Sequence, residues 1–126
     1  MTHCFVGIGS NDDPERHCQA MIAALRSRFG EIRVSQLCWS QAQGRKAADY
    51  LNGVVYFEAT ITPDALKSWC KQLEKQLGRT RGSVVCRADL DLLLLCERYP
   101  LPDEFPAVES YFQPLVDELL CVVADP

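Results

Sequence analysis

Asp89-Leu90-Asp91-Leu92-Leu93-Leu94-Leu95 is the stretch from which both a fold and a chemistry can be read. On a strand, residues i and i+2 point to the same face, so both carboxylates project together from an otherwise apolar element. Two like charges side by side repel, and burying them is costly unless something neutralises them. A hard divalent cation is the usual neutraliser. Mg²⁺ held by one or two carboxylates, with a substrate's phosphates completing its shell, is a common phosphoryl-transfer arrangement. The stretch predicts a strand, too leucine-rich for an exposed edge, that carries a metal and phosphate site.

Working upstream, Arg79 to Val85 reads as a basic, glycine-containing loop. Guanidinium forks suit phosphate oxygens, which makes Arg79, Arg81 and Arg87 candidates for a triphosphate grip, although charged loops are commonly just solvated. Before that loop, Leu66, Trp69, Leu73 and Leu77 recur at helical spacing, with Thr62 as N-cap, Pro63 at N1 and Gly78 as the stop. Val54, Val55, Tyr56 and Phe57 mark a strand within Leu51 to Ile61. Gln41 to Ala48 reads as a polar loop, and Ile32 to Trp39 as another strand.

Nearer the start, Cys4 to Gly9 predicts a strand running into a turn and a helix with an Asp or Asn cap and Pro14 in its first turn. Met21, Ile22, Leu25 and Phe29 form that helix's apolar face, and Gly30 closes it. Downstream, a proline-rich connection from Tyr99 to Pro106 leads to a short helix around Pro114 to Leu120, with Cys121 to Val123 as a possible last strand. The order is β-α-β-β-α-β plus a tail, an α+β fold of ferredoxin-like type with its helices on one face of an antiparallel sheet.

Length and composition fit one globular domain over residues 1–126. A hydrophobic share of 48% and a charged share of 24% exclude disorder and low complexity. The net charge of −4, with a pI near 5.1, argues against a nucleic-acid partner. No stretch is apolar enough to span a bilayer and the first residues lack a signal-peptide pattern, so a cytoplasmic monomer is expected. The seven cysteines form no C-x-x-C pair, and neither His3 nor His17 has zinc-ligand spacing to them. They read as small buried hydrophobes; the neighbouring Arg87 could favour a thiolate at Cys86, but there too a bystander is the preferred reading.

Four motifs taken together resemble a known family: Ile8-Gly9-Ser10-Asn11, Asp49-Tyr50-Leu51-Asn52, Glu74 with Gly78-Arg79-x-Arg81, and Asp89-Leu90-Asp91. In this order and spacing they look like 6-hydroxymethyl-7,8-dihydropterin pyrophosphokinase, across essentially the whole chain. The resemblance implies transfer of the β,γ-diphosphoryl group of ATP, the co-substrate, to the hydroxymethyl oxygen of a reduced pterin, with release of AMP. It implies two Mg²⁺ ions at Asp89 and Asp91, nucleotide contacts from Glu74, Arg79 and Arg81, and a pterin pocket containing Tyr50 and Asn52.

Some segments depart from the family pattern. The family's Trp-Gly-Pro-Arg-Thr-Leu stretch, part of a long catalytic loop, is replaced here by the shorter Gly82 to Ala88, where Arg87 would supply the phosphate-binding arginine. A short lid implies less efficient exclusion of water. The loop before Asp49 lacks the family's prolines, Pro106 is followed by Ala107 and Val108, and no arginine follows Arg98. Tyr111 or Phe112 would supply a second pterin-stacking ring, unless both are core residues of the last helix. The alternative function is a non-catalytic relative that binds a pterin or a nucleotide without turnover.

Overall fold

The computed structural model describes residues 1–41, 49–80, 85–97 and 108–124. The elements run β1 (Thr2–Ser10), α1 (Pro14–Phe29), β2 (Ile32–Val34), β3 (Cys38–Ser40), β4 (Tyr50–Ala59), α2 (Pro63–Gln76), β5 (Asp89–Cys96) and α3 (Gln113–Ala124). All strand pairs are antiparallel, in the order β2-β4-β1-β5, with β3 also paired to β4. This is an α+β, ferredoxin-like arrangement.

Alternation along the strands builds two cores. Cys4, Val6 and Ile8 of β1, with Leu51, Val55 and Phe57 of β4 and Leu90 of β5, face α1 and α2. Phe5, Val54 and Tyr56 face the other way and are covered by Phe112, Leu115, Val116 and Leu119. The two helices expected on one face are α1 and α2, and α3 closes the opposite face.

The single strand expected over Ile32 to Trp39 is two. The Ser35 N–H donates to the Val54 carbonyl, and the Ser35 hydroxyl accepts the Val54 N–H, both at 2.9 Å. A side-chain oxygen thus replaces a backbone carbonyl in the ladder, and the chain steps away before rejoining β4 at Cys38. Leu37 fills the space above Gly53, where a Cβ would lie 2.6 Å from its Cδ2.

β5 also departs from expectation, because it is one of the outer strands among the described residues. Leu90 is buried and the other leucines stay half-buried because both faces are covered. A register shift opposite Phe5 and Val6 lets Leu92 and Leu95 pack against the first core while Leu93 and Leu94 join the second. The strand proposed for Cys121 to Val123 is absent, since α3 continues as helix through Ala124. Its period-matched Leu115, Val116 and Leu119 bury against the sheet, which favours continued helix over a new edge.

Both ends of the first two helices follow from local chemistry, with one exception. Thr62 caps α2 by accepting the Ala65 N–H at 3.2 Å. Asp13 occupies the cap of α1 in a left-handed conformation (φ 44°), but its carboxylate takes Arg16 instead of a backbone N–H. The Gln41–Ala48 loop, apart from Gln41, and the Tyr99–Pro106 connection lie outside the described residues. No helix among the described residues is long and apolar enough to cross a membrane.

Candidate functional site

Register places the acid pair. Asp89 lies opposite Gly9 and Asp91 opposite Gly7, while on the other side of β1 the partners of Gly9 and Gly7 are Asn52 and Val54. Asn52, Gly9 and Asp89 therefore form one row across three strands, on the face that α3 covers. The two glycines give neighbouring side chains room to close in. A Cβ on Gly9 would stand 3.0 Å from Asn52 Oδ1, and one on Gly7 would stand 2.6 Å from Phe112 Cζ.

The two carboxylates share their face closely enough to interact. Burial first, then the charge of Asp89 and a hydrogen bond with it, lift the Asp91 carboxyl to about 7, and Glu109 and Glu74 add to the shift. A site that raises a carboxyl in this way gains when a cation enters it.

Asp89 is partly neutralised already. Arg79 Nη1 donates to Asp89 Oδ1 at 2.9 Å and to Glu74 Oε2 at 2.7 Å. Glu74, only 3% exposed, also accepts the Leu90 N–H at 2.8 Å and contacts Lys71 Nζ at 3.4 Å. The end of α2 creates this cluster. Gly78 sits at φ 92°, the Gly78 N–H bonds the Lys75 carbonyl, and the Arg79 N–H bonds the Glu74 carbonyl. This double return at a left-handed glycine turns Arg79 back over the last turn of the helix.

On the β4 side, Asn52 is buried and its Nδ2 donates to Ser40 Oγ at 2.6 Å. Tyr50 is half-buried, and its hydroxyl is pushed up to about 12 by burial and then by Cys86 and Asp89, with Arg79 opposing. Cys86 is buried as well, and burial raises its thiol despite the opposing charge of Arg79, so the thiolate that Arg87's proximity suggested is not favoured.

Arg87 is not brought to the acid pair. Its Nε donates to Asp12 Oδ2 at 3.0 Å, and its Nη1 reaches the Gly78 carbonyl at 3.4 Å. Arg81 lies outside the described residues. Of the two aromatic candidates, Phe112 is buried beneath α3 against Gly7. Tyr111 is half-buried beside it, with ring centroids 4.7 Å apart. Its hydroxyl is raised to about 12 by burial, then by Glu109, Asp91 and Asp89, which puts it within the field of the acid pair.

Sequence reading placed Asn11 in the Ile8-Gly9-Ser10-Asn11 motif but gave it no partner. Asn11 binds the backbone of Cys86 twice: its N–H donates to the Cys86 carbonyl at 2.8 Å and its Oδ1 accepts the Cys86 N–H at 2.5 Å. Ser10 Oγ adds a bond to the same carbonyl at 3.3 Å. The Gly9-Ser10-Asn11 turn thereby pins the segment entering β5. Its composition marked a turn, but nothing local marked a partner so distant in sequence.

The residues present fit Mg²⁺. The donors are hard carboxylate oxygens, and their closeness holds the Asp91 carboxyl in a raised state that a cation would relieve. Among the described residues no three His, Cys, Asp or Glu side chains gather into a metal cage. Two carboxylates with phosphate and water completing the shell is the arrangement Mg²⁺ favours.

The model of the 7,8-dihydro-6-hydroxymethylpterin-pyrophosphokinase family matches residues 5–117 of the chain. No curated protein matches it.

Proposed function

Because the chain belongs to the 7,8-dihydro-6-hydroxymethylpterin-pyrophosphokinase family, diphosphotransferases of folate biosynthesis, we propose that it transfers diphosphate from ATP to 6-hydroxymethyl-7,8-dihydropterin and releases AMP. The observation that carries this reading is the row of Asn52, Gly9 and Asp89 across β4, β1 and β5, with Asp91 beside it on the same face. It sets groups suited to a flat heterocycle next to groups suited to a metal-bound polyphosphate.

Each side chain has a part. Tyr50 offers a ring face to the pterin, and Asn52 reads its donor and acceptor edge from within the sheet. Tyr111, rather than the buried Phe112, supplies the second ring. Asp89 and Asp91 hold Mg²⁺, and Arg79 and Arg81 bind the nucleotide. Arg87 reaches the phosphates by exchanging Asp12 for them. Bound Mg²⁺ would supply neutralisation of the triphosphate charge and polarisation of its oxygens.

In the reaction the hydroxymethyl oxygen bonds to the β-phosphorus, the bond from that phosphorus to the α,β-bridging oxygen breaks, and the hydroxyl proton is released. Little else is asked of the protein than alignment and charge compensation, which is what phosphoryl transfer mostly requires. The enzyme is taken to act as a cytoplasmic monomer.

The test is AMP formation with ATP, Mg²⁺ and the hydroxymethyl pterin. Pterin-dependent AMP release supports the reading. A folded protein that binds pterin or ATP without producing AMP would instead be the non-catalytic binding module.

A further inference from the structure

Resemblance puts Glu74 among the nucleotide contacts, yet its carboxylate is the most occupied acid of the cluster. It is 3% exposed, and one oxygen receives both the Leu90 N–H at 2.8 Å and Arg79 Nη1 at 2.7 Å. The other faces Lys71 Nζ at 3.4 Å. A buried carboxylate with its partners in place is costly to disturb, because removing one partner leaves charge uncompensated.

Both partners lead to the acid pair. Leu90 is the residue between Asp89 and Asp91, and its N–H points away from β1 on an outer strand of the described sheet. Glu74 fills the place of a missing neighbour strand at the one position flanked by both aspartates. Arg79 is held to Glu74 twice, by its backbone N–H on the Glu74 carbonyl at 3.0 Å and by its guanidinium. The same Nη1 then reaches Asp89 Oδ1. Strand position and carboxylate orientation are thus set from a single buried oxygen.

We infer that Glu74 is a positioning residue: it fixes Asp89 through Leu90 and Arg79 and does not itself touch the nucleotide. The inference rests on Asp89 being a metal ligand as proposed above.

A double-mutant cycle on the affinity for Mg²⁺ with a non-hydrolysable ATP analogue tests this. The variants are Glu74→Gln, Arg79→Met and the pair, each checked by thermal unfolding. Gln keeps the side chain's size and an acceptor for the Leu90 N–H. Glu74→Gln is expected to weaken binding about tenfold when Arg79 is present and less than about twofold when it is Met. Equal losses in both backgrounds would place Glu74 on the nucleotide and overturn the inference, as would no loss in either.

A second measurement needs no nucleotide. In Glu74→Ala, amide exchange at Leu90 should accelerate at least about tenfold while Val55, inside the sheet, keeps its rate. Unchanged exchange at Leu90 overturns the inference. If the wild type binds no nucleotide, the proposed function fails, and the exchange experiment still decides whether Glu74 holds the strand.

Discussion

Gly7 and Asp91 are cross-strand partners, and Gly7 is roofed by Phe112, whose ring would lie 2.6 Å from any Cβ placed there. Glycine at this position lets α3 descend onto the sheet directly beside the acid pair. The C-terminal helix thereby becomes part of the site's wall as well as part of the core.

Gly7→Ala should therefore destabilise the protein by about 1–3 kcal/mol, since the ring cannot retreat without disturbing the second core. Phe112→Leu in the same chain should recover part of that loss by freeing space. Denaturant unfolding of both variants measures it. A neutral Gly7→Ala would mean that Phe112 does not pack where described.

Asp91 predicts a pH dependence. Its carboxyl is lifted from 3.8 to about 7 in the folded protein by burial and by Asp89, with Glu109 and Glu74 contributing. A raised carboxyl binds its proton more tightly when folded, so its contribution to stability is complete below the unfolded value and is lost as pH rises through the folded one. Without divalent metal, the advantage of Asp91→Asn over the wild type should widen from about pH 4 to about pH 7 and then level off. After allowance for solvent screening its final size is about 1–2 kcal/mol. Unfolding at a series of pH values checks this, and an advantage that shrinks with rising pH contradicts it.

Arg87 separates stability from turnover. Its pair with Asp12 is about half exposed on both sides, so Arg87→Ala should cost less than about 1 kcal/mol of stability. If Arg87 moves to the phosphates during the reaction, the same change should lower kcat about 100-fold, the scale of losing one group that stabilises developing charge. Paired unfolding and AMP-release measurements are needed. Activity that falls only in step with stability would leave Arg87 a strut between Asp12 and Gly78.

Much of this was legible in the residues themselves. The i, i+2 spacing of Asp89 and Asp91 placed both acids on one face, and Thr62-Pro63 and Gly78 marked the ends of α2, because each signal is local. What escaped depends on distant partners. The break between β2 and β3 arises because the Ser35 hydroxyl substitutes in the ladder at Val54. The leucines of β5 survive on an outer strand because α2 and α3 cover its two faces. Burial of Phe112 depends on Gly7, and nothing around residue 112 reveals that. The resemblance offered Glu74 as a nucleotide contact, and nothing in the sequence discloses the Leu90 N–H that it accepts.

The central claim is that Asp89 and Asp91 together hold Mg²⁺ beneath a nucleotide's phosphates. Calorimetric titration of the wild type and Asp91→Ala with a non-hydrolysable ATP analogue, with and without Mg²⁺, tests it most directly. Binding to the wild type should depend on Mg²⁺, and Asp91→Ala should lose the Mg²⁺-dependent part while remaining folded. Equal affinity in the variant, or wild-type binding indifferent to Mg²⁺, would contradict the account.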